Sequence, residues 1–314
     1  MKKFLIKLFL FFLLLGFFLL GLVMVSSWLI ERYDFKNWET ESNLLVMRPN
    51  THYDLLFMGN SHARNFSRYK NHLRVEKILN KKILNLGRSA GLCGIREYPF
   101  YLQYAYSKNI SADTIILNIF SQMLYSDYQN RITISFNDEP FDLKFFLAYL
   151  KYPYAEQKYK RLFNYVFSKV RYKWLLTKPH SIDFKKDALS KIDTLAIKRG
   201  MKIAFPNGFD TVTFNKNAKI LEEFIKLAQS HGSTVIFITT PTLFGDWPHH
   251  QDVVKLMKHL RKEYGVKYYD FANVMKNPHW FYDHHHLNSE GISIFTEKYL
   301  KPALEQGDTT YLEN

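Results

Sequence analysis

The chain has 314 residues, 47% of them hydrophobic and 17% aromatic, which suits a packed core or two small domains and excludes a disordered composition. Lys and Arg number 43 against 29 Asp and Glu, a formal net charge of +14, but the lysines are scattered and no nucleic-acid-binding motif occurs. One cysteine, Cys93, excludes an intramolecular disulfide framework and a multi-cysteine metal site; its default is a small buried thiol.

Residues 8–30 carry no charge and read LFLFFLLLGFFLLGLVMVSSWLI. As a helix the run spans roughly 35 Å, enough for a bilayer core of about 30 Å. Lys2, Lys3 and Lys7 precede it without an acidic residue. The positive-inside tendency therefore predicts residues 1–7 in the cytoplasm and the bulk of the chain outside. The run is longer than an ordinary signal-peptide core, and Val25-Ser26-Ser27 is a poor cleavage site. An uncleaved single-pass signal-anchor is expected, with Trp28 and Tyr33 at its outer interface. Residues 31–51 follow as a polar juxtamembrane linker.

Beyond the linker, apolar runs alternate with helical stretches. Residues 53–58 (YDLLFM) read as a buried strand closed by Gly59, and 62–80 suit a helix. Residues 82–86 (KILNL) form a second strand closed by Gly87, followed by an aromatic-rich helix at 95–108 and a third strand at 113–120 (DTIILNIF). Residues 215–231 have helical spacing and stop at Gly232. A fourth strand at 234–239 (TVIFIT), a helix at 253–264, a fifth strand at 266–271 (VKYYDF) and a closing helix at 289–304 complete the series. The alternation predicts an α/β fold, a parallel sheet with helices on both faces, over residues 52–306 with a tail at 307–314.

Residues 128–214 break this rhythm. Candidate helices at 141–150, 159–170 and 185–198 make them a helical insertion between the third and fourth strands. Loops at the carboxyl ends of parallel strands line the ligand crevice. The insertion either shapes a substrate site, where its Tyr, Phe and Trp174 suit stacking on sugar faces, or caps the fold without touching substrate.

Two places carry candidate chemistry. Gly59-Asn60-Ser61-His62 follows the first strand, and a serine at a strand-to-helix turn exposes its hydroxyl beside helix N–H groups that suit an oxyanion. Asp283-His284-His285-His286-Leu287-Asn288 precedes the last helix, and the i, i+3 spacing of Asp283 and His286 lets a carboxylate orient an imidazole that deprotonates a serine. A rival nucleophile elbow, Gly87-Arg88-Ser89-Ala90-Gly91, matches G-x-S-x-G but lacks an upstream HGGG-type sequence and leaves the Gly59 turn unexplained, so Ser61 is favoured over Ser89. Consecutive histidines at 284–286 and the pair His249-His250 lack metal-ligand spacing. No metal and no organic cofactor is expected.

Taken together, Ser61 after the first strand and Asp283-x-x-His286 before the terminal helix resemble the SGNH/GDSL hydrolase superfamily over residues 52–306. The resemblance implies a flavodoxin-like three-layer fold with a five-stranded sheet of order 2-1-3-4-5. It implies Ser61 as nucleophile, Asp283 and His286 as its partners, and Gly87 of Leu84-Asn85-Leu86-Gly87 as an oxyanion-hole glycine. The His286-Leu287-Asn288 continuation and Gly291 look like the membrane-anchored branch that serves cell-envelope O-acylation, which includes the alginate O-acetylation proteins and the D-alanyl transfer protein of teichoic acid synthesis. That branch implies transfer or removal of O-acyl groups, acetyl foremost, on an envelope glycan or small ester, with a membrane-bound O-acyltransferase as acyl-donating partner. The chain departs from the family at two points. Asn60 replaces the usual aspartate, and the Gly-x-Asn-Asp block that supplies an oxyanion asparagine is absent; spacing leaves Asn118 or Gln122 as the side-chain donor, beside the N–H groups of Ser61 and Gly87. The missing block also supports a different reading, a catalytically silent envelope-binding or assembly protein on the same fold.

Overall fold

The computed structural model describes residues 1–35, 47–88, 94–137, 139–170 and 188–306. Ser89, Cys93, Trp174, most of the linker and the tail at 307–314 lie outside the described residues. Helix α1 (Lys2–Leu29) is apolar on all sides and exposed along most of its length, and it is long and apolar enough to cross a membrane. Only its C-terminal turns are covered, at Val23, Ser26 and Ser27, and a π-helical turn extends it over Ile30–Phe35.

The α/β body begins with β1 (Thr51–Met58), α2 (Ser61–Arg64), α3 (Asn71–Leu79), β2 (Ile83–Asn85), α4 (Tyr98–Ser107) and β3 (Ile110–Asn118). Then come α5 (Ser121–Tyr125), α6 (Leu143–Lys151), α7 (Lys158–Val170), α8 (Thr194–Ala204) and α9 (Thr211–Ser230). It closes with β4 (Thr234–Thr239), α10 (His250–Tyr264), β5 (Lys267–Asp270), α11 (Ser289–Phe295) and α12 (Lys301–Gln306). All strand pairs are parallel and the sheet order is β2-β1-β3-β4-β5, the 2-1-3-4-5 arrangement that the resemblance implies. Leu56 lies beside Leu84 on one flank and Ile115 on the other.

Alternate strand residues feed two cores, as the pleat requires. Leu56, Met58, Ile115 and Leu117 face a core shared with α4, α9 and α10. Leu55, Phe57, Ile116 and Ile238 face a core closed by α3, α11 and the residues around Leu300. Since the chain leaves β1 toward β2 on one side and β3 lies on the other, a crevice opens at their carboxyl ends, where this topology places ligand sites.

Three stretches differ from the sequence reading. Residues 62–80 are not one helix, because Tyr69 and Lys70 adopt φ of 55° and 59° and separate α2 from α3. The closing helix is divided by a π-helical segment over Thr296–Leu300. In the insertion, the helix expected at 185–198 is α8, displaced toward the C-terminus. Its start is set by Asp193, whose carboxylate accepts from the N–H groups of Leu195 and Ala196, an N-cap.

The insertion packs onto the main core. Phe136, Phe145, Tyr149 and Tyr165 are buried in it, and Arg96 pairs with Asp127 and Glu156 while Arg161 pairs with Glu97. These four aromatics of the insertion are therefore core, whereas Tyr128, Tyr159, Phe163 and Phe167 are exposed.

Candidate active site

The turn after β1 is built around Gly59, whose φ of +139° disfavours any side chain and whose would-be Cβ would lie 3.0 Å from Asn118 Cβ. Asn60 then caps α2, its Oδ1 accepting from His62 N at 3.1 Å. This places Ser61 at the first position of α2, above the carboxyl end of the sheet. Gly87 closes in from β2: a Cβ there would sit 2.5 Å from Arg64 N and 2.8 Å from Ala63 C. The close approach of this turn to α2 holds the serine's helix in place.

The second wall comes from the segment between β5 and α11. An antiparallel bridge between Phe281 and Leu287 and a Tyr282 N to His286 O hydrogen bond of 3.1 Å fold residues 281–287 into a tight loop. Asp283 Oδ1 accepts from the N–H groups of His285 and His286 at 3.0 and 2.8 Å. Asn288 caps α11 by accepting from Gly291 N at 2.9 Å.

Within this frame Ser61 Oγ lies 2.6 Å from His286 Nε2, and His286 Nδ1 lies 2.8 Å from Asp283 Oδ2. With Nδ1–H donating to the carboxylate, Nε2 is the lone-pair nitrogen that faces the serine hydroxyl. Burial pushes the Asp283 carboxyl upward, but the hydrogen bond from His286, with the charge that imidazole can take up, outweighs it and holds the group well below the usual carboxylate range. Tyr282 stacks on the His286 ring with centroids 5.3 Å apart.

His62 supports the site from beneath. Its ring lies 4.6 Å from that of His286, and its Nδ1 is 3.1 Å from Thr240 Oγ1, which accepts from Asn118 Nδ2 at 3.3 Å. Burial, then the nearby His286 charge, pushes the His62 pKa well below the ordinary range. Burial and the same neighbour lower His285 to about 3. Both rings are therefore neutral at neutral pH.

An open cleft of about 370 Å³ lies over Ser61 and His286. Gln122 and Tyr128 line it, Ile197, Met201 and Ile203 of α8 form one apolar wall, and Phe244 and Trp247 contribute from the segment after β4. The insertion thus borders the serine. His284 fastens it there, accepting from Asp193 N at 2.9 Å, just before α8.

Of the two side-chain donors left open by spacing, Gln122 lines the cleft, whereas Asn118 is buried beneath the Gly59 turn with its amide directed to Thr240. The Gly87 N–H donates to Asn85 Oδ1 at 2.7 Å. His62, Thr240 and Trp247 escaped the sequence reading. The His immediately after Ser61 was the one available signal, since an N-terminal helical turn carries it to the sheet end beside the serine.

The ligand nitrogens of His62, His285 and His286 lie within 4.8 Å of one another, so a cation could be held there. Both nitrogens of His286 are already engaged by Ser61 and Asp283, and such binding would break the contact with the serine. His249 and His250 pair instead with Asp252 and Asp270.

No protein-family model matches the chain, and no curated protein matches its sequence. Solved structures match its layout. One is described as an acylhydrolase from Bacteroides fragilis NCTC 9343, with 14% identity, 88% of this chain and 96% of that one covered, and a TM-score of 0.42. Another is a GDSL-like lipase from Bacteroides thetaiotaomicron VPI-5482, at 13% identity, 87% and 98% coverage and a TM-score of 0.43. A third is an acetyl xylan esterase from the rumen bacterium Butyrivibrio proteoclasticus, at 10% identity, 83% and 65% coverage and a TM-score of 0.40. The chemistry of the cleft is read from its own atoms.

Proposed function

We propose that the protein is a serine-dependent acyl-ester enzyme of the SGNH type, held at the outer face of the cytoplasmic membrane by α1, that transfers or removes O-acyl groups on a cell-envelope glycan. One observation carries the chemistry: the continuous line from Ser61 Oγ through His286 to Asp283, with 2.6 and 2.8 Å contacts. In this reading Ser61 attacks the ester carbonyl as His286 Nε2 takes its proton. The tetrahedral intermediate collapses, His286 returns the proton to the departing alkoxide, and acyl-Ser61 remains. A sugar hydroxyl or water, deprotonated by His286, then takes the acyl group and regenerates the serine. Asp283 keeps the imidazole tautomer and stabilises its charged form.

In this reading the Ser61 N–H and the Gln122 amide stabilise the developing negative charge, and we assign Gln122 over Asn118 because it borders the cleft. In this reading residues 1–7 are cytoplasmic, 8–30 span the membrane, and 52–306 form the extracytoplasmic catalytic domain. A membrane-bound O-acyltransferase is the partner we expect to deliver the acyl group. The apolar α8 wall supports transfer, because it limits water at the acyl-enzyme.

The test is a brief incubation of the full-length protein in detergent with an activated acetyl ester, followed by peptide mass spectrometry. An acyl adduct on the peptide carrying Ser61 is the expected result. An intact, folded protein with no adduct there, or with the adduct on Ser89, would overturn the assignment.

A further inference from the structure

We infer that helices α6 and α7 of the insertion form a second membrane contact, a lipid-facing surface that lies on the outer leaflet beside α1. The inference rests on the reading of α1 as a membrane span. Helix α7 packs against α1, and the N–H of Phe141, just before α6, donates to Ser27 Oγ of α1 at 2.9 Å. The covered part of α1 begins at Val23. Val23 precedes the end of the apolar run at residue 30 by about 10 Å of helix, whereas the whole run exceeds a bilayer core by only about 5 Å. Protein that covers Val23 therefore reaches the depth of the headgroups and upper acyl chains.

Helix α7, which packs on α1, presents an exposed aromatic stripe. Tyr159, Phe163 and Phe167, spaced i, i+4, i+8, are 78%, 63% and 41% exposed, and the two phenylalanines stack with centroids 5.4 Å apart. Its opposite side is anchored in the body through Leu162 and Tyr165. The neighbouring α6 repeats the pattern, with Leu143, Leu147 and Leu150 exposed while Phe145 and Tyr149 are buried. An interfacial amphipathic helix has this form: an apolar face for the acyl boundary, aromatic residues at headgroup level and cations beside them. Lys144, Lys151 and Lys160 are exposed on the same two helices and complement anionic headgroups. The ligand chemistry is thus an anionic phospholipid surface. Its consequence for the enzyme is orientation, since the insertion that touches lipid through α6 and α7 also walls the cleft through α8.

The experiment uses the unmodified full-length chain in nanodiscs of phosphatidylcholine and phosphatidylglycerol that contain a phospholipid with a diazirine near its carbonyl end. After photolysis, lipid adducts are mapped by peptide mass spectrometry. The expected result is adducts on the α1 and α7 peptides, severalfold above those on α10, which increase with the phosphatidylglycerol fraction. Phe163→Glu with Phe167→Glu, both at exposed positions, should remove the α7 adducts and leave those on α1. Adducts on α1 without any on α7 would overturn the surface contact while the span stands. No adduct on α1 would overturn the span and the contact with it. Cross-links between α7 helices of two copies, with α7 free of lipid, would assign the face to self-association and also overturn the proposal.

Discussion

Ser61 Oγ and His286 Nε2 are 225 positions apart in the chain and 2.6 Å apart in the fold. The first is set by a glycine turn after β1 and the second by the Asp283 turn before α11. Removal of either partner should abolish the function of both. Ser61→Ala and His286→Ala should each lower ester turnover by roughly 10⁴–10⁶-fold, and the double variant should be little worse, because residues that act as a unit are non-additive. Labelling by a serine-directed fluorophosphonate should vanish in Ser61→Ala and persist in Ser89→Ala. A labelled band that survives the first and disappears in the second would reverse the assignment.

Gln122 and Asn118 should separate by phenotype. Gln122 borders the cleft, so Gln122→Ala should lower kcat by about 10²–10³-fold, the usual cost of one oxyanion donor, with little change in melting temperature. Asn118 is buried and bonded to Thr240, so Asn118→Ala should chiefly destabilise the fold. Thermal melts beside steady-state kinetics test the pair. A lone loss of kcat in the Asn118 variant would exchange their roles.

The strands were legible because buried parallel strands are short continuous apolar runs closed by turn residues, and TVIFIT at 234–239 coincides with β4. β3 starts at Ile110, earlier than read, because Ser111 and Asp113 interrupt the apolar pattern although Thr51 and Ile110 are in register. Ser61, Asp283 and His286 stand in two short local motifs, which is why the sequence could single them out, and the fold brings their side chains into one hydrogen-bonded line. Thr240 beside His62 was not, since that contact joins residues 178 apart and leaves no local pattern. Gln122 could not be chosen over Asn118 by spacing, because the choice depends on how α5 turns away from the end of β3.

Gly87→Ala should harm the site without touching a reacting atom. The added carbon would lie 2.5 Å from Arg64 N, a backbone atom that cannot swing aside. Overpacking of this kind costs about 1–3 kcal/mol. The displaced element is α2, which carries Ser61, so fluorophosphonate labelling should slow at temperatures where circular dichroism still reports a folded protein. An unchanged labelling rate would show that β2 and α2 separate without moving the serine.

The buried histidine beneath the site predicts how stability varies with pH. His62 is neutral in the folded protein because burial, then the His286 charge, lowers its pKa, while in the unfolded chain it titrates near its ordinary value of about 6.5. Below that pH the unfolded state binds a proton that the folded state does not. Stability is therefore full above about pH 6.5 and falls as the pH drops, by up to about 1.4 kcal/mol per unit from this group. His62→Gln should flatten the decline in melting temperature between about pH 6.5 and pH 4.5, where the carboxylates begin to contribute. An equally steep decline in the variant would remove His62 from the explanation.

On the proposed function, the apolar wall of α8 should set the balance between transfer and hydrolysis. Water at about 55 M competes with any sugar hydroxyl for the acyl-enzyme, so a transferase must position its acceptor and exclude water. Ile197 and Met201 stand over the cleft without contributing a proton or a charge. Ile197→Ser with Met201→Ser should therefore leave the rate of acylation by a small activated ester nearly unchanged, since Ser61, His286 and Asp283 keep their contacts. The fate of the acyl group should change, with the ratio of acylated oligosaccharide to free acid falling by about tenfold, which corresponds to about 1.4 kcal/mol between the two deacylation routes. Mass spectrometry of both products, over a panel of envelope oligosaccharides, measures the ratio directly. Free acid as the only product of the unaltered enzyme, at a fast rate across that panel, would make the protein an esterase whose apolar wall selects the acyl group.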